Sequence, residues 1–279
     1  MSQAMKGFAL ITGASSGIGA IYGDRLAKRG YDLILVARRF DRLRMLADKI
    51  GGETGRKVEV IDADLSKRDE LAKIEAVLRT DKRITTLVNN AGFGSAAPLL
   101  QAYVDKMSDM IALNVDALTR LTYAAAPGFV ERGGGTIINI ASVAAVAPEF
   151  FPVNGVYSAS KAFVLALSQW LKHELAEKAV RVQVVLPGPT ATDFFENAGM
   201  QLEHLPIELV MPATAMVDAA LAGLDQGEFV TVPSLPNMAD WDAHEAARRA
   251  LVPNLAHSEP AVRLSGNGAS HQRAVLPSK

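Results

Sequence analysis

Tyr157 and Lys161 are the residues of this chain whose types and spacing point most directly to chemistry. In a helix of about 3.6 residues per turn, positions i and i+4 project from one face. An ammonium beside a phenol favours the phenolate. Lys161 is therefore expected to draw the Tyr157 pKa below its free value of about 10. A tyrosine so tuned serves as a general acid or base. The pair alone carries little weight, because a half-buried Tyr beside a Lys stem lying on apolar surface has the same signature.

A second stretch with chemical content lies near the N-terminus. Gly13-Ala14-Ser15-Ser16-Gly17-Ile18-Gly19 follows the apolar run Phe8 to Ile11 and opens a helical pattern, Ile21 to Arg29, that Gly30 ends. A further apolar run, Leu33 to Val36, comes next. Strand, glycine turn, helix and strand within about 30 residues form a βαβ unit with a dinucleotide fingerprint. The glycines let the backbone approach a pyrophosphate, and the helix N-terminus offers it free N–H groups. The spacing is G-x-x-x-G-x-G, one residue longer in the turn than G-x-G-x-x-G. A P-loop is excluded, because Ala20 and Ile21 stand where Lys and Ser or Thr are needed. At the end of the second strand an acidic residue would bind a ribose 2′-OH, whereas arginine accommodates a 2′-phosphate. The chain has Ala37-Arg38-Arg39, which favours NADP over NAD. The two arginines would also suit the start of a solvated helix.

The elements that must position these residues alternate along the chain. Helices are expected over Asp41–Ile50 (closed by Gly51-Gly52), Lys67–Leu78, Tyr103–Ala126 in one or two segments, Tyr157–Leu175 and Pro212–Leu224. Strands are expected over Lys57–Ile61, Thr86–Val88, Thr136–Ile140, Val182–Leu186 and Phe229–Val232. Repeated βα units with continuous apolar strands imply an α/β fold. The expected architecture is a Rossmann-like doubly wound parallel sheet of about seven strands with helices on both faces. Residues 1–252 are read as one NAD(P)-binding domain and 253–279 as an irregular C-terminal tail. Ligands of such sheets bind beyond the carboxyl ends of the strands. The glycine turn, Arg38, Asp64, Asn90, Ser142 and Pro187-Gly188 all fall at such ends.

Composition narrows the function. The 279 residues are 49% hydrophobic and 21% charged, which suits a sizeable core, and a net charge of -1 gives no electrostatic case for nucleic acid or anionic membrane. There is no cysteine, which excludes disulfides and thiolate chemistry and fits a reducing, cytoplasmic setting. No apolar stretch suggests a signal peptide or a membrane span. The five histidines lack paired metal spacing, so no metal site is expected.

Taken together, these motifs resemble the short-chain dehydrogenase/reductase family over about residues 6 to 233. Thr12 to Gly19 matches its T-G-x-x-x-G-x-G, Asn89-Asn90-Ala91-Gly92 its N-N-A-G, and Pro187-Gly188 with Thr192 its P-G-x-x-x-T. Asn114, Ser142, Tyr157 and Lys161 match its catalytic tetrad. The best fit is a branch of uncharacterised bacterial oxidoreductases. Two departures stand out: a long Ser142–Tyr157 gap, and no glycine-rich closing strand after Val232.

The resemblance implies NADP(H)-dependent hydride transfer between nicotinamide and a carbonyl or secondary alcohol. Tyr157 would be the acid/base, Lys161 would bind the nicotinamide ribose, Ser142 would hold the substrate oxygen, and Asn114 would fix a relay water. Alternatively, Ser142 caps backbone and Asn114 is a buried amide tying helix to strand. Gly13, Ser15, Ser16, Gly17, Ile18 and Gly19 would cradle the pyrophosphate, and Arg38 and Arg39 the 2′-phosphate. Asp64 and Leu65 would meet the adenine; Asn90, with Ala91 and Gly92, would lie against the adenosine ribose. Pro187, Gly188, Thr190 and Thr192 would lie near the carboxamide and pyrophosphate. Val146, Phe150 and Phe151, with Phe194, Phe195 and Met200, could line an apolar substrate pocket, close a lid or form an oligomer contact. A small apolar carbonyl or alcohol substrate and a homodimer or homotetramer are expected. The rival reading is a catalytically inactive dinucleotide-sensing protein with the same fold.

Overall fold

A computed structural model describes residues 6–150 and 155–264, with the side chains of Phe150 and His204 left aside. The described residues fall into two compact units, divided in the chain between Ser234 and Leu235. The division lies ahead of the 252/253 boundary expected from sequence, because the helix Met238–Ala250 buries none of its residues.

The first unit alternates strands and helices. In chain order these are β1 (Phe8–Thr12), α1 (Gly17–Lys28), β2 (Asp32–Ala37), α2 (Phe40–Thr54), β3 (Val58–Asp62), α3 (Arg68–Thr80) and β4 (Ile84–Asn89). There follow α4 (Val104–Ile111), α5 (Leu118–Glu131), β5 (Gly135–Ile140), α6 (Gly155–Glu174) and β6 (Val180–Val185). The unit ends with β7 (Thr190–Ala191), α7 (Phe194–Asn197), β8 (Met211–Pro212), α8 (Ala213–Gln226) and β9 (Val230–Thr231). Among the described residues, seven strands form a sheet in the order β3-β2-β1-β4-β5-β6-β9, every neighbouring pair parallel. The order reverses direction beside β1, which opens a crevice at the carboxyl ends there.

Both faces of the sheet are covered. Side chains alternate along a strand, so Phe8 and Leu10 of β1 enter one core with Ile74 of α3, Leu121 and Phe129 of α5 and Leu171 of α6. Ala9 and Ile11 enter the other, with Tyr22 of α1, Leu43 of α2 and Met216 and Leu221 of α8. Across the first face Glu75 is buried and receives hydrogen bonds from Arg79 and from Arg120 of α5.

The sequence placed most elements, and the end of α2 is an instructive exception. Gly51-Gly52 does not close α2. The helix runs on to Thr54, and Gly55 stops it, with φ of 67° and its N–H bonded to the Gly51 carbonyl at 2.9 Å. Gly in the last exposed turn costs helix propensity without breaking it. The segment after Tyr103 is one continuous rod in which a π-helical turn, Ala112–Ala117, joins α4 to α5. A separate two-stranded ladder, β7 with β8, ties together the two ends of residues 192–210.

The second unit contains α9 (Met238–Ala250), whose N-cap Asn237 accepts a hydrogen bond from the Ala239 N–H at 2.9 Å. Among the described residues no helix is long and apolar enough to cross a membrane.

Candidate active site

The glycine turn hangs from β1 and is held by β4. The Thr12 hydroxyl accepts hydrogen bonds from the N–H groups of Asn90 and Ala91, each at 3.0 Å, and donates to the Val88 carbonyl at 3.3 Å. The Asn90 amide donates to the Thr12 carbonyl at 2.9 Å and to that of Gly13 at 3.3 Å. A Cβ on Gly19 would stand 2.5 Å from both the Asn90 amide and the Gly13 carbonyl oxygen, so no side chain fits there. Gly17, with φ of 54°, needs left-handed backbone and leaves α1 open at its N-terminus. Thr192 lies directly over it.

At the end of β2, Arg39 folds over this turn. Its guanidinium donates to the hydroxyls of Ser15 at 3.2 Å and Ser16 at 2.7 Å. Arg38 lines the crevice beside Asp64. Burial raises the Asp64 pKa, but hydrogen bonds from the Ser66 hydroxyl and N–H and the Arg38 charge outweigh it and hold the carboxyl below its usual range.

At the other end, Ser142 leaves β5 with extended backbone. Its hydroxyl accepts the Ala144 N–H at 3.2 Å, so the serine caps a short 3₁₀ turn; it donates to the Pro187 carbonyl at 3.5 Å and lies close enough to the Tyr157 phenol to lower its pKa. Tyr157 and Lys161 share one face of α6, as the spacing predicts, and both are buried. Their electrostatics reverse the expectation. Burial pushes the Tyr157 phenol up to about 12, against the lowering effect of the Ser142 hydroxyl. Burial also pushes Lys161 down to about 8, while its ammonium donates to the Ile140 carbonyl at 2.9 Å. Burial drives both shifts and neither group figures in the other's, a result that i, i+4 spacing does not reveal.

Asn114 stands in the π-helical turn and does not line the crevice. Its amide exchanges hydrogen bonds with the backbone of Phe93, at 3.1 and 3.0 Å, and donates to Ser160 at 3.1 Å. It thus ties the loop after β4 to α6. The carbonyl oxygen of its side chain sits over Gly92, where a Cβ would meet it at 2.9 Å and would lie 3.6 Å from the Lys161 nitrogen.

These ends meet in one crevice of about 660 Å³, within the range of cofactor pockets. Its walls include Gly13, Ser15, Ser16, Gly17, Ile18, Arg38, Arg39, Asp64 and Leu65 at one end. Asn90, Ala91 and Gly92 lie along it, and Ser142, Tyr157, Lys161, Pro187, Gly188, Thr190 and Thr192 close the other. Of the apolar residues expected around a substrate, Phe194 and Phe195 line it, while Val146 and Met200 do not. Phe151 lies outside the described residues. Phe93, Lys106 and Asp109 also line it and were not anticipated; the glycine pair flanking Phe93 was the available signal of close approach. Arg42 of α2 pairs with Asp193, which lines the crevice, at 3.4 Å. Among the described residues no cluster of three or more metal-ligating side chains occurs.

The geometry has close counterparts. The short chain dehydrogenase family profile matches residues 7–203. Sulfoacetaldehyde reductase 2 of Chromohalobacter salexigens is 39% identical over 68% of this chain and 75% of its own length. Human 17-beta-hydroxysteroid dehydrogenase type 3 is 36% identical over 68% of this chain, a match that spans only 61% of that protein. A short-chain dehydrogenase from Sphingobium yanoikuyae in complex with NADPH superposes with a TM-score of 0.89 at 46% identity, over 92% of this chain and 99% of the other. A bulky-bulky ketone specific alcohol dehydrogenase from Comamonas testosteroni superposes with a TM-score of 0.85 at 41% identity, over 93% and 98%. The glycine turn, the asparagine strand end and the Ser142–Tyr157–Lys161 corner, set in this sheet order and matched by that profile, identify the chain as a member of the short-chain dehydrogenase family.

Proposed function

We propose that this chain is an NADP(H)-dependent oxidoreductase that interconverts a carbonyl compound and a secondary alcohol. The observation that carries this reading is that Ser142, Tyr157 and a buried Lys161 line the same crevice as the glycine turn and Arg38 and Arg39. The cradle fits a dinucleotide: Gly19 has no room for a Cβ and α1 opens toward the crevice, and the guanidiniums of Arg38 and Arg39 lining its edge after β2 support recognition of a 2′-phosphate. The NADPH named for the Sphingobium structure supports NADP over NAD.

A bound dihydronicotinamide supplies the hydride. The protein's own residues manage the proton and the oxygen. Ser142 and Tyr157 present two hydroxyls to one carbonyl oxygen, polarising it as negative charge develops. Tyr157, held protonated by burial, gives its proton to the forming alkoxide during reduction and takes one back during oxidation. Lys161, with its pKa near 8, exchanges protons close to neutral pH and can restore the phenol. Asn114 locks the loop over Gly92 against α6 and keeps that lysine facing the crevice. The apolar walls Phe93, Phe194 and Phe195 support a ketone, aldehyde or secondary alcohol with aromatic or aliphatic substituents. The ketone specificity named for the Comamonas structure supports the same class. A pure sensor has no use for the hydroxyl pair. Exposed Tyr123 on α5 and Phe163 and Trp170 on α6 support a homodimer or homotetramer.

The test is NADPH oxidation against a panel of ketones and aldehydes. Tyr157→Phe keeps the ring and removes the proton. It is expected to lower kcat at least about 100-fold, with NADPH affinity retained. Full turnover by that variant would remove the assignment.

A further inference from the structure

Phe194 stands between two parts of the site. Its ring lies 5.4 Å from the Tyr157 ring, centroid to centroid, at 52°, and 5.6 Å from Phe195, edge to face. The tip of the ring lies against Gly94, in the loop after β4. A Cβ on Gly94 would fall 2.5 Å from the Phe194 ring tip and 3.2 to 3.3 Å from its flanking carbons. The same two loops are joined by the Ala96 N–H bonded to the Ala198 carbonyl at 2.9 Å. The ring therefore occupies space beside the reacting hydroxyl, and that space exists because residue 94 has no side chain. Gly94 does not need its glycine for backbone reasons, since its φ is not in the left-handed region. What it supplies is room.

We infer that Gly94 is a specificity-determining residue: by giving the Phe194 ring a seat, it fixes an aromatic wall beside Tyr157 that limits the bulk of the carbonyl substituent on that side. This rests on the oxidoreductase reading above and goes on to name what sets substrate size. Alanine at 94 meets only the far end of a flexible side chain, so the ring is displaced while the backbone stays put. Phe194→Ala removes the same wall directly.

The experiment compares a slim aryl ketone (methyl on one side) with one carrying two bulky groups, in wild type, Gly94→Ala, Phe194→Ala and the double variant. Gly94→Ala and Phe194→Ala are each expected to shift the bulky-to-slim ratio of kcat/KM in the same direction by roughly tenfold, the scale of a pocket gaining or losing a few methylenes. In the Phe194→Ala background, Gly94→Ala should change nothing further, because the ring it displaces is gone. Additive effects, or an unmoved ratio in Gly94→Ala, would overturn the wall. Calorimetric binding of the same ketones to the NADP⁺-saturated protein reads the ratio without turnover. If wild type binds but turns over no ketone while the binding ratio shifts, the wall stands and the catalytic reading falls. If turnover is normal and both ratios are unmoved, the wall alone falls. Phe194→Leu, which keeps apolar bulk, guards against loss of folding and should move the ratio less than Phe194→Ala.

Discussion

Lys161→Met should make this protein more stable and inactive at once, and the size of the gain follows from the site. The ammonium is buried, and burial moves its pKa from 10.5 to about 8. At about 1.4 kcal/mol per pKa unit, holding that charge inside the fold at pH 7 costs roughly 3 kcal/mol relative to the unfolded chain. Methionine removes the charge at nearly constant volume. It also removes the bond to the Ile140 carbonyl, a loss of roughly 1 kcal/mol. The balance is about 2 kcal/mol in favour of the variant, or a rise in Tm of roughly 4–8 °C. The pH dependence adds a second check. Between about pH 8 and 10.5 the unfolded lysine binds a proton that the folded one has lost, so wild-type stability rises with pH across that window. The variant's advantage should be full below pH 8, shrink above it and vanish near roughly pH 10. Chemical denaturation of both proteins from pH 6 to 10.5 measures this directly. A variant less stable at pH 7, or an advantage that does not change with pH, would refute the claim that burial depresses this lysine.

Three further outcomes follow from the geometry. Arg38→Asp with Arg39→Ala removes both guanidiniums at the edge of β2 and should move the NADPH-to-NADH ratio of kcat/KM toward NADH by on the order of 100-fold; an unchanged ratio would place 2′-phosphate recognition elsewhere. Gly19→Ala puts a methyl 2.5 Å from the Gly13 carbonyl oxygen, so it should cost roughly 1–3 kcal/mol in urea denaturation and abolish NADPH binding by fluorescence titration. Glu75→Gln weakens the charged bonds from Arg120 and Arg79 and should cost roughly 2 kcal/mol. Burial raises the Glu75 pKa, but those two arginines more than offset it and hold it below the usual range. Its contribution is therefore present at neutral pH and lost as pH falls through the folded value, and the variant should lack that part of the acid transition.

How much the sequence revealed depended on the kind of interaction. The central strands were legible because β1 and β2 are buried on both faces and read as unbroken apolar runs. The polar residues of the crevice were legible because a parallel sheet gathers every strand end on one edge. The end of α2 was not, because a glycine pair looks like a stop whether or not the next glycine has the left-handed conformation that makes one. The direction of the Tyr157 and Lys161 shifts was hidden for another reason. Spacing tells which groups are near each other, whereas burial depends on α4, α6 and the loop after β4 closing over them together. Gly94 under Phe194 and Arg42 against Asp193 were hidden too, since contacts between distant positions leave no period in the chain.

The Thr12 hydroxyl has a consequence for redesign. Through this one oxygen β1, which leads into the glycine turn, holds the end of β4 and the loop after it, the loop whose Gly92 lies against Lys161. The two loops cannot be exchanged separately. A graft that imports either one from a homologue must bring its counterpart and the threonine, or the transplanted half will arrive out of alignment with the half left behind.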